Sequence, residues 1–344
     1  MIGSSPEEVF PGKKVLVTGG LGFIGSNLAF RLVDIGADVT LLDNMLPQFG
    51  GNLFNVEPIQ NRIRINFSDI RDRASMNYIV QGQDYVFHLA GQVSHVDSVR
   101  DPFADIDINV VGTMTLLEAC RQFNPDAKLV FSGTRGEYGS AVKLPVDEEA
   151  PTNPKGLYAI TNLTAEKIVL MYHEVHHVRG VCLRITNTYG PRHHMRHNRY
   201  GVANWFIRLA MDDEIIPIMG DGKIIRDFLY VDDLMDVMLW VGANEEAGGQ
   251  IFNIGSGIPT DFIELGEIIV RVAGSGRCEY VPFSEERKQV EPGHYYTDIG
   301  KIRRVSAWEP RTSLEDGIRK TIEFYRMYRD HYWSRQDSES IQAE

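Results

Sequence analysis

Three glycines in VTGGLGFIGSN, Gly19, Gly22 and Gly25, stand at GxxGxxG spacing directly after a β-branched run and open an amphipathic stretch. A glycine loop between strand and helix lets backbone amides approach a pyrophosphate with no Cβ in the way, and the helix N-terminus favours the negative charge. The next apolar run ends in Asp43, near the spacing of about 20 residues for a carboxylate that holds an adenosine ribose. Asn44 follows with no basic residue adjacent, which favours NAD over its 2′-phosphorylated form. Tyr158 and Asn162 lie four residues apart, hence on one face of a helix. Two histidine groups also invite chemistry. His173, Glu174 and His177 match HExxH, formally a zinc motif. They close a predicted helix far from the expected ligand crevice, where solvent-facing histidines are the better account. His193, His194 and His197 sit in a basic loop and read as phosphate contacts or solvated side chains, so no metal site is expected.

The elements that must position these residues follow from hydrophobic period. Strands are predicted at KVLVTG (14–19), DVTLLD (38–43), IRINF (63–67), DYVFHLA (84–90), KLVFS (128–132) and GVCLRI (180–185), with helices over 22–35, 110–122 and 158–177. Continuous apolar strands separated by helices argue a parallel sheet buried on both faces, an α/β doubly wound Rossmann arrangement. After Pro191 the elements become shorter and mixed: helices over 202–211, 232–241, 261–272 and 313–328, strands over 215–219 and 250–255. We read residues 12–190 as a Rossmann domain to which some later segments return, 191–333 as a smaller C-terminal α/β domain over the strand ends, and 334–344 as a frayed, disordered tail. The chain has 344 residues, 43% hydrophobic and 24% charged, and a net charge of −12. That acidic excess argues against a nucleic-acid polymer or an acidic membrane surface as partner. Met1 to Pro11 lacks the apolar core of a signal peptide, and no uncharged run reaches spanning length. Cys120, Cys182 and Cys278 are odd in number and lack CxxC spacing, so they read as buried thiols in a reducing, cytoplasmic setting.

Several further motifs occur in order: SDIRD with Asp69, HLAGQ, Asn109, FSGTRGEYG, LRITNTYGPR, GDGKIIRDFLYVDD, FNIGSG and WEPRTSLEDGI. Together with the glycine loop and the Tyr158 helix they make the chain resemble the extended short-chain dehydrogenase/reductase family, in its nucleotide-sugar epimerase, dehydratase and decarboxylase group. The resemblance implies cofactor contacts at Gly19, Gly22, Phe23, Ile24, Gly25, Asp43, Asn44, Asp69, Ile70, Leu89 and Ala90, and also at Tyr158 and Asn162. It implies that Tyr158 is the acid/base and that Thr134 bonds the reacting sugar oxygen. The family has a lysine where this chain has Asn162, which can hydrogen-bond ribose hydroxyls but carries no charge to lower the Tyr158 pKa.

In the family's 4,6-dehydratases an Asp-Glu pair follows the threonine, and the decarboxylases place a Glu in the same stretch. Here Arg135 and Gly136 follow, with Glu137 one place late. Arg135 is left with two readings, a contact to a substrate carboxylate or phosphate, or a solvated loop charge. Asn187 and Arg226 resemble the family's diphosphate ligands, with an ion pair from Arg226 to Asp232 or Asp233 as the structural alternative. Arg192 and Arg287 are further phosphate candidates, the latter because Glu291 stands where the family often has an arginine. The resemblance thus implies an NAD-dependent nucleotide-sugar 4-epimerase, with a homodimer formed through the helices over 110–122 and 158–177. The alternatives are a dehydratase or decarboxylase, in which Glu137 or another carboxylate replaces the missing pair, and a catalytically silent NAD and nucleotide-sugar binding protein.

Overall fold

The computed structural model describes residues 3–46, 49–283 and 291–334. Arg287 and nearly all of the polar tail, 335–344, lie outside the described residues. Thirteen strands occur among them: β1 Lys14–Thr18, β2 Asp38–Leu42, β3 Ile63–Asn66, β4 Tyr85–His88, β5 Lys128–Thr134, β6 Arg179–Ile185, β7 Asn187–Tyr189, β8 Ile215–Met219, β9 Ile225–Arg226, β10 Phe228–Tyr230, β11 Ile251–Ile254, β12 Thr260–Asp261 and β13 Arg277–Val281. Seven of these form one parallel sheet in the order β11-β6-β5-β4-β1-β2-β3. Strand residues alternate between two cores. Val15 and Val17 of β1 face one apolar cluster and Leu16 faces the other, as expected for a strand covered by helices on both sides.

The main helices are α1 Pro6–Val9, α2 Phe23–Asp34, α3 Arg73–Ile79, α4 His95–Arg100, α5 Pro102–Asp105, α6 Thr113–Phe123, α7 Leu157–His176, α8 Val202–Met211, α9 Val231–Ala243, α10 Phe262–Ala273, α11 Gly300–Ser306 and α12 Leu314–Tyr328. A wider π-helical stretch over Ile106–Gly112 runs into α6, so this helical run begins earlier than its hydrophobic period indicates. The smaller lobe holds the parallel pair β8 and β13 and the antiparallel pair β9 and β12, with α8 and α10 packed together. Its last helix, α12, starts where Ser313 accepts a hydrogen bond from the Asp316 amide, an N-cap that fixes its first turn. β11 returns to the main sheet beside β6, with Asn253 aligned to Arg184.

Strand order reverses between β1 and β4, and ligands of open α/β sheets bind beyond the strand ends at such a switch point. Cys120 and Cys182 are buried free thiols, whereas Cys278 is only half-buried. No helix among the described residues is long and apolar enough to cross a membrane.

Candidate active site

A cavity of 570 Å³ opens over the C-terminal ends of β1, β4, β5 and β6 and runs under the smaller lobe, reaching Trp205, Phe206 and Phe262. The glycine loop forms one end. Gly19 has φ +68, and a Cβ there would lie 2.9 Å from the Leu89 carbonyl oxygen and from the Ala90 amide. A Cβ on Gly25 would overlap the Gly19 carbonyl oxygen, so this glycine lets α2 close onto β1. Gly22, Phe23, Ile24, Leu89 and Ala90 line the same end. Asp43 lines it too, its carboxylate accepting hydrogen bonds from the amides of Leu21 at 3.0 Å and Met45 at 2.9 Å. Burial pushes the Asp43 pKa up while those two bonds pull it down, and burial wins. Ile70 and Asn44 also reach the cavity. Asp69 stands behind them: it binds Arg71 and accepts from Asn44 Nδ2 at 3.0 Å, and the Arg71 bonds hold its pKa down at about 2. An amide-lined glycine turn ending in a carboxylate suits the pyrophosphate and adenosine ribose of a dinucleotide, so these residues fit NAD.

Thr134, the last residue of β5, and Tyr158, in the first turn of α7, meet in the middle of the cavity. The Thr134 amide donates to Glu137 Oε1 at 2.9 Å and its hydroxyl accepts from the Gly136 amide at 3.1 Å, which fixes the turn. Burial pushes the Tyr158 pKa up to about 12, while hydrogen bonding to Thr134 and the charge of Arg135 act in the opposite direction. The His95 ring meets Tyr158 edge-on at 4.6 Å between centroids and is itself held near a pKa of about 4, chiefly by burial. Asn162 lines the cavity and turns its Nδ2 to the Tyr158 carbonyl oxygen at 2.8 Å.

The substrate candidates divide. Arg135, Asn187 and Arg226 line the cavity. Asn187 Nδ2 donates to the Asp227 carbonyl at 3.3 Å. Arg226 is ion-paired to Glu291 and also donates to the carbonyls of Ile225 and Gly293, so neither Asp232 nor Asp233 is its partner. Arg192 does not line the cavity. Its guanidinium donates to the Asn55 carbonyl and to Asn27 Oδ1 and lies over the Phe30 and Phe324 rings, tying the interlobe loop to α2 and α12. Nor is Glu137 presented to a ligand: it is fully buried, pairs with Arg184 beside Glu166, and does not line the cavity. His193 and His194 do line it. Burial brings their pKa values to about 4 and about 2, so they are neutral inserted rings rather than solvated cations. His173 caps the end of α7 through the Val178 carbonyl oxygen at 3.1 Å.

One supporting network escaped the sequence reading. Asn109 Oδ1 accepts from the Gln92 amide at 2.8 Å, and its Nδ2 donates to Asp105 at 2.6 Å and to Thr161 at 3.2 Å. Asp105 in turn accepts from Thr161 on α7 at 3.0 Å. These bonds anchor the segment carrying His95 to the helix carrying Tyr158. Asn109 was visible as a motif residue; His95 had no signal apart from its place after HLAGQ.

Comparison with known proteins places this geometry among relatives. The model of the NAD dependent epimerase/dehydratase family matches residues 15–255. A putative UDP-glucose 4-epimerase of Methanocaldococcus jannaschii is 33% identical over 317 residues, covering 91% of this chain and 98% of that protein. A dTDP-glucose 4,6-dehydratase of Streptomyces niveus is 31% identical over 325 residues, covering 91% and 93%. The crystal structure of the Thermus thermophilus UDP-glucose 4-epimerase complex with NAD superposes with a TM-score of 0.82 at 28% identity, covering 91% of this chain and 99% of that one.

Proposed function

The chain belongs to the NAD dependent epimerase/dehydratase family, and from that premise we propose that it is a cytoplasmic, homodimeric nucleotide-sugar 4-epimerase. The observation that supports epimerisation is the lack, among the described residues, of a free carboxylate at the reacting corner. Among the described residues only Asp43 and Glu291 bring carboxylates to the cavity, one at the glycine loop and one bound to Arg226. Elimination of water needs an acid for the leaving hydroxyl and a base for the adjacent proton. The two positions after Thr134 are Arg135 and Gly136, and Glu137 points into the protein.

Epimerisation asks less of the side chains. Tyr158 takes the proton from the sugar hydroxyl and later returns it, and Thr134 holds the oxygen on which charge develops. Bound NAD supplies the acceptor and then the donor of hydride, within one turnover. Asn162, Asp43 and the glycine loop would hold that cofactor. With Tyr158 raised to about 12 and an amide in place of a cation at Asn162, phenolate formation relies on the charges that surround the phenol in the loaded site.

For the homodimer, the supporting feature is a run of exposed apolar side chains on adjacent helices: Val111 in the π-helical stretch, Met114 at the start of α6, and Ile160, Met171 and Val175 on α7. To test the activity, the purified protein is incubated with UDP-, dTDP-, CDP- and GDP-linked sugars and the products followed by NMR. A product inverted at C4 is expected, and loss of water from the sugar contradicts the proposal.

A further inference from the structure

Among the described residues three arginines line the cavity, and two are committed. Arg199 pairs with Asp97, and Arg226 pairs with Glu291 while donating to two carbonyls. The third, Arg135, has no ion pair or hydrogen bond to another described residue; its guanidinium lies over the Tyr295 ring, 5.1 Å from the centroid. Burial and the neighbouring Arg226 both work against its charge. A planar guanidinium held in a cavity on an aromatic face, with its donor fork unused, is a receptor for a planar oxyanion.

Its location says where on the ligand that anion sits. Arg135 directly follows Thr134, and its charge acts on Tyr158. Whatever it grips therefore lies beside the hydroxyl that Tyr158 and Thr134 handle. In a hexose oxidised at C4, the groups beside that hydroxyl are carried on C3 and C5, whereas the nucleotide diphosphate is attached at C1 on the opposite side of the ring. A neutral hydroxymethyl group leaves the charge unmatched, and a diphosphate oxygen, which the neighbouring Arg226 is expected to take, is common to acidic and neutral sugar nucleotides and so gives no preference between them. We propose that Arg135 binds a carboxylate on the sugar next to the reacting carbon, so that the preferred substrate is a nucleotide-linked hexuronate. This rests on the 4-epimerase reading of the site and narrows its substrate class.

The test uses a matched pair, UDP-glucuronate and UDP-glucose, with NAD-loaded protein. Calorimetry reads affinity without requiring turnover, so a failure of the carboxylate assignment is separable from a failure of the activity. The wild type is expected to favour UDP-glucuronate by about tenfold or more, the size of one charge-assisted contact. Arg135→Met brings the ratio toward one by weakening the acidic ligand more than the neutral one. Arg135→Lys, which keeps the charge and loses the fork, restores part of the preference. Equal affinities in the wild type, no binding of UDP-glucuronate, or a preference that survives Arg135→Met overturns the assignment. If the preference holds and responds to Arg135, yet NMR finds neither ligand epimerised, the carboxylate site stands and the 4-epimerase reading fails.

Discussion

At the scale of single residues, the decisive feature is the pairing of Tyr158 with an asparagine. A lysine at this position would place a cation one helical turn from the phenol, and a nearby positive charge favours phenolate. In the proposed reaction the phenol acts as a base only when deprotonated, so activity is expected to rise as pH increases through its pKa. Asn162→Lys is accordingly expected to move the acidic limb of the pH–rate profile to lower pH, and an unmoved limb would show that the phenol is set by other groups. Much of this corner was legible. Tyr158, Thr134 and Asn162 follow from motif and helical spacing, and the glycine loop from its strand-to-helix context. Arg192 and Glu137 were not, because a sequence shows a charge without showing which way it faces. The aromatic faces of Phe30 and Phe324 that take Arg192, and the Arg184 that takes Glu137, come from elements more than a hundred and about fifty residues away respectively.

At the scale of elements, the seven strands of the main sheet were read to within a few residues because the sheet is covered on both faces and its strands are uninterrupted apolar runs, whereas the short helices α3, α4 and α5 and the edge strand β13 were not read. The segment before α6 was less legible. Its π-helical turns over Ile106–Gly112 break the 3.6-residue period and serve Asn109, whose side chain faces inward to Gln92, Asp105 and Thr161. Two predictions belong here. In the glycine loop, Gly25→Ala forces a Cβ onto the Gly19 carbonyl and separates α2 from β1. NAD affinity measured by fluorescence titration should fall by about tenfold or more, and unchanged affinity would mean that the loop is not the pyrophosphate cradle. On the face formed by α6 and α7, Met114→Glu places a charge among apolar side chains that a second copy would cover. Analytical ultracentrifugation should find a dimer for the wild type and a monomer for the variant. A monomeric wild type, or a variant that dimerises as well, excludes this interface.

At the scale of the whole molecule, an acidic chain accommodates anionic ligands by concentrating its polar resources in one crevice. The net charge of −12 is countered there by amides of the glycine loop and by arginines, while His193 and His194 of the interlobe loop are kept neutral by burial. Burial of neutral histidine also ties stability to pH. His88 lies between Thr18 and Thr113, its two nitrogens each 2.9 Å from a hydroxyl, and burial lowers its pKa to about 4. The unfolded chain takes up this proton near pH 6.5, before the folded one does. The contribution of neutral His88 is therefore full above about pH 6.5 and is lost as pH falls toward 4. Replacing it with the non-titrating His88→Asn should give a stability deficit at pH 7.5 that shrinks on acidification, followed by thermal melts of both proteins. A deficit that stays constant or widens toward pH 5 would contradict the sign.

The most direct test of the central claim is the fate of the hydrogen on C4. A nucleotide sugar deuterated at C4 is converted by the NAD-loaded protein, and the product is read by NMR and mass spectrometry. The account predicts deuterium retained on C4, inverted configuration and unchanged mass; deuterium transferred to C6 with loss of water, or a product lacking carbon dioxide, would contradict it.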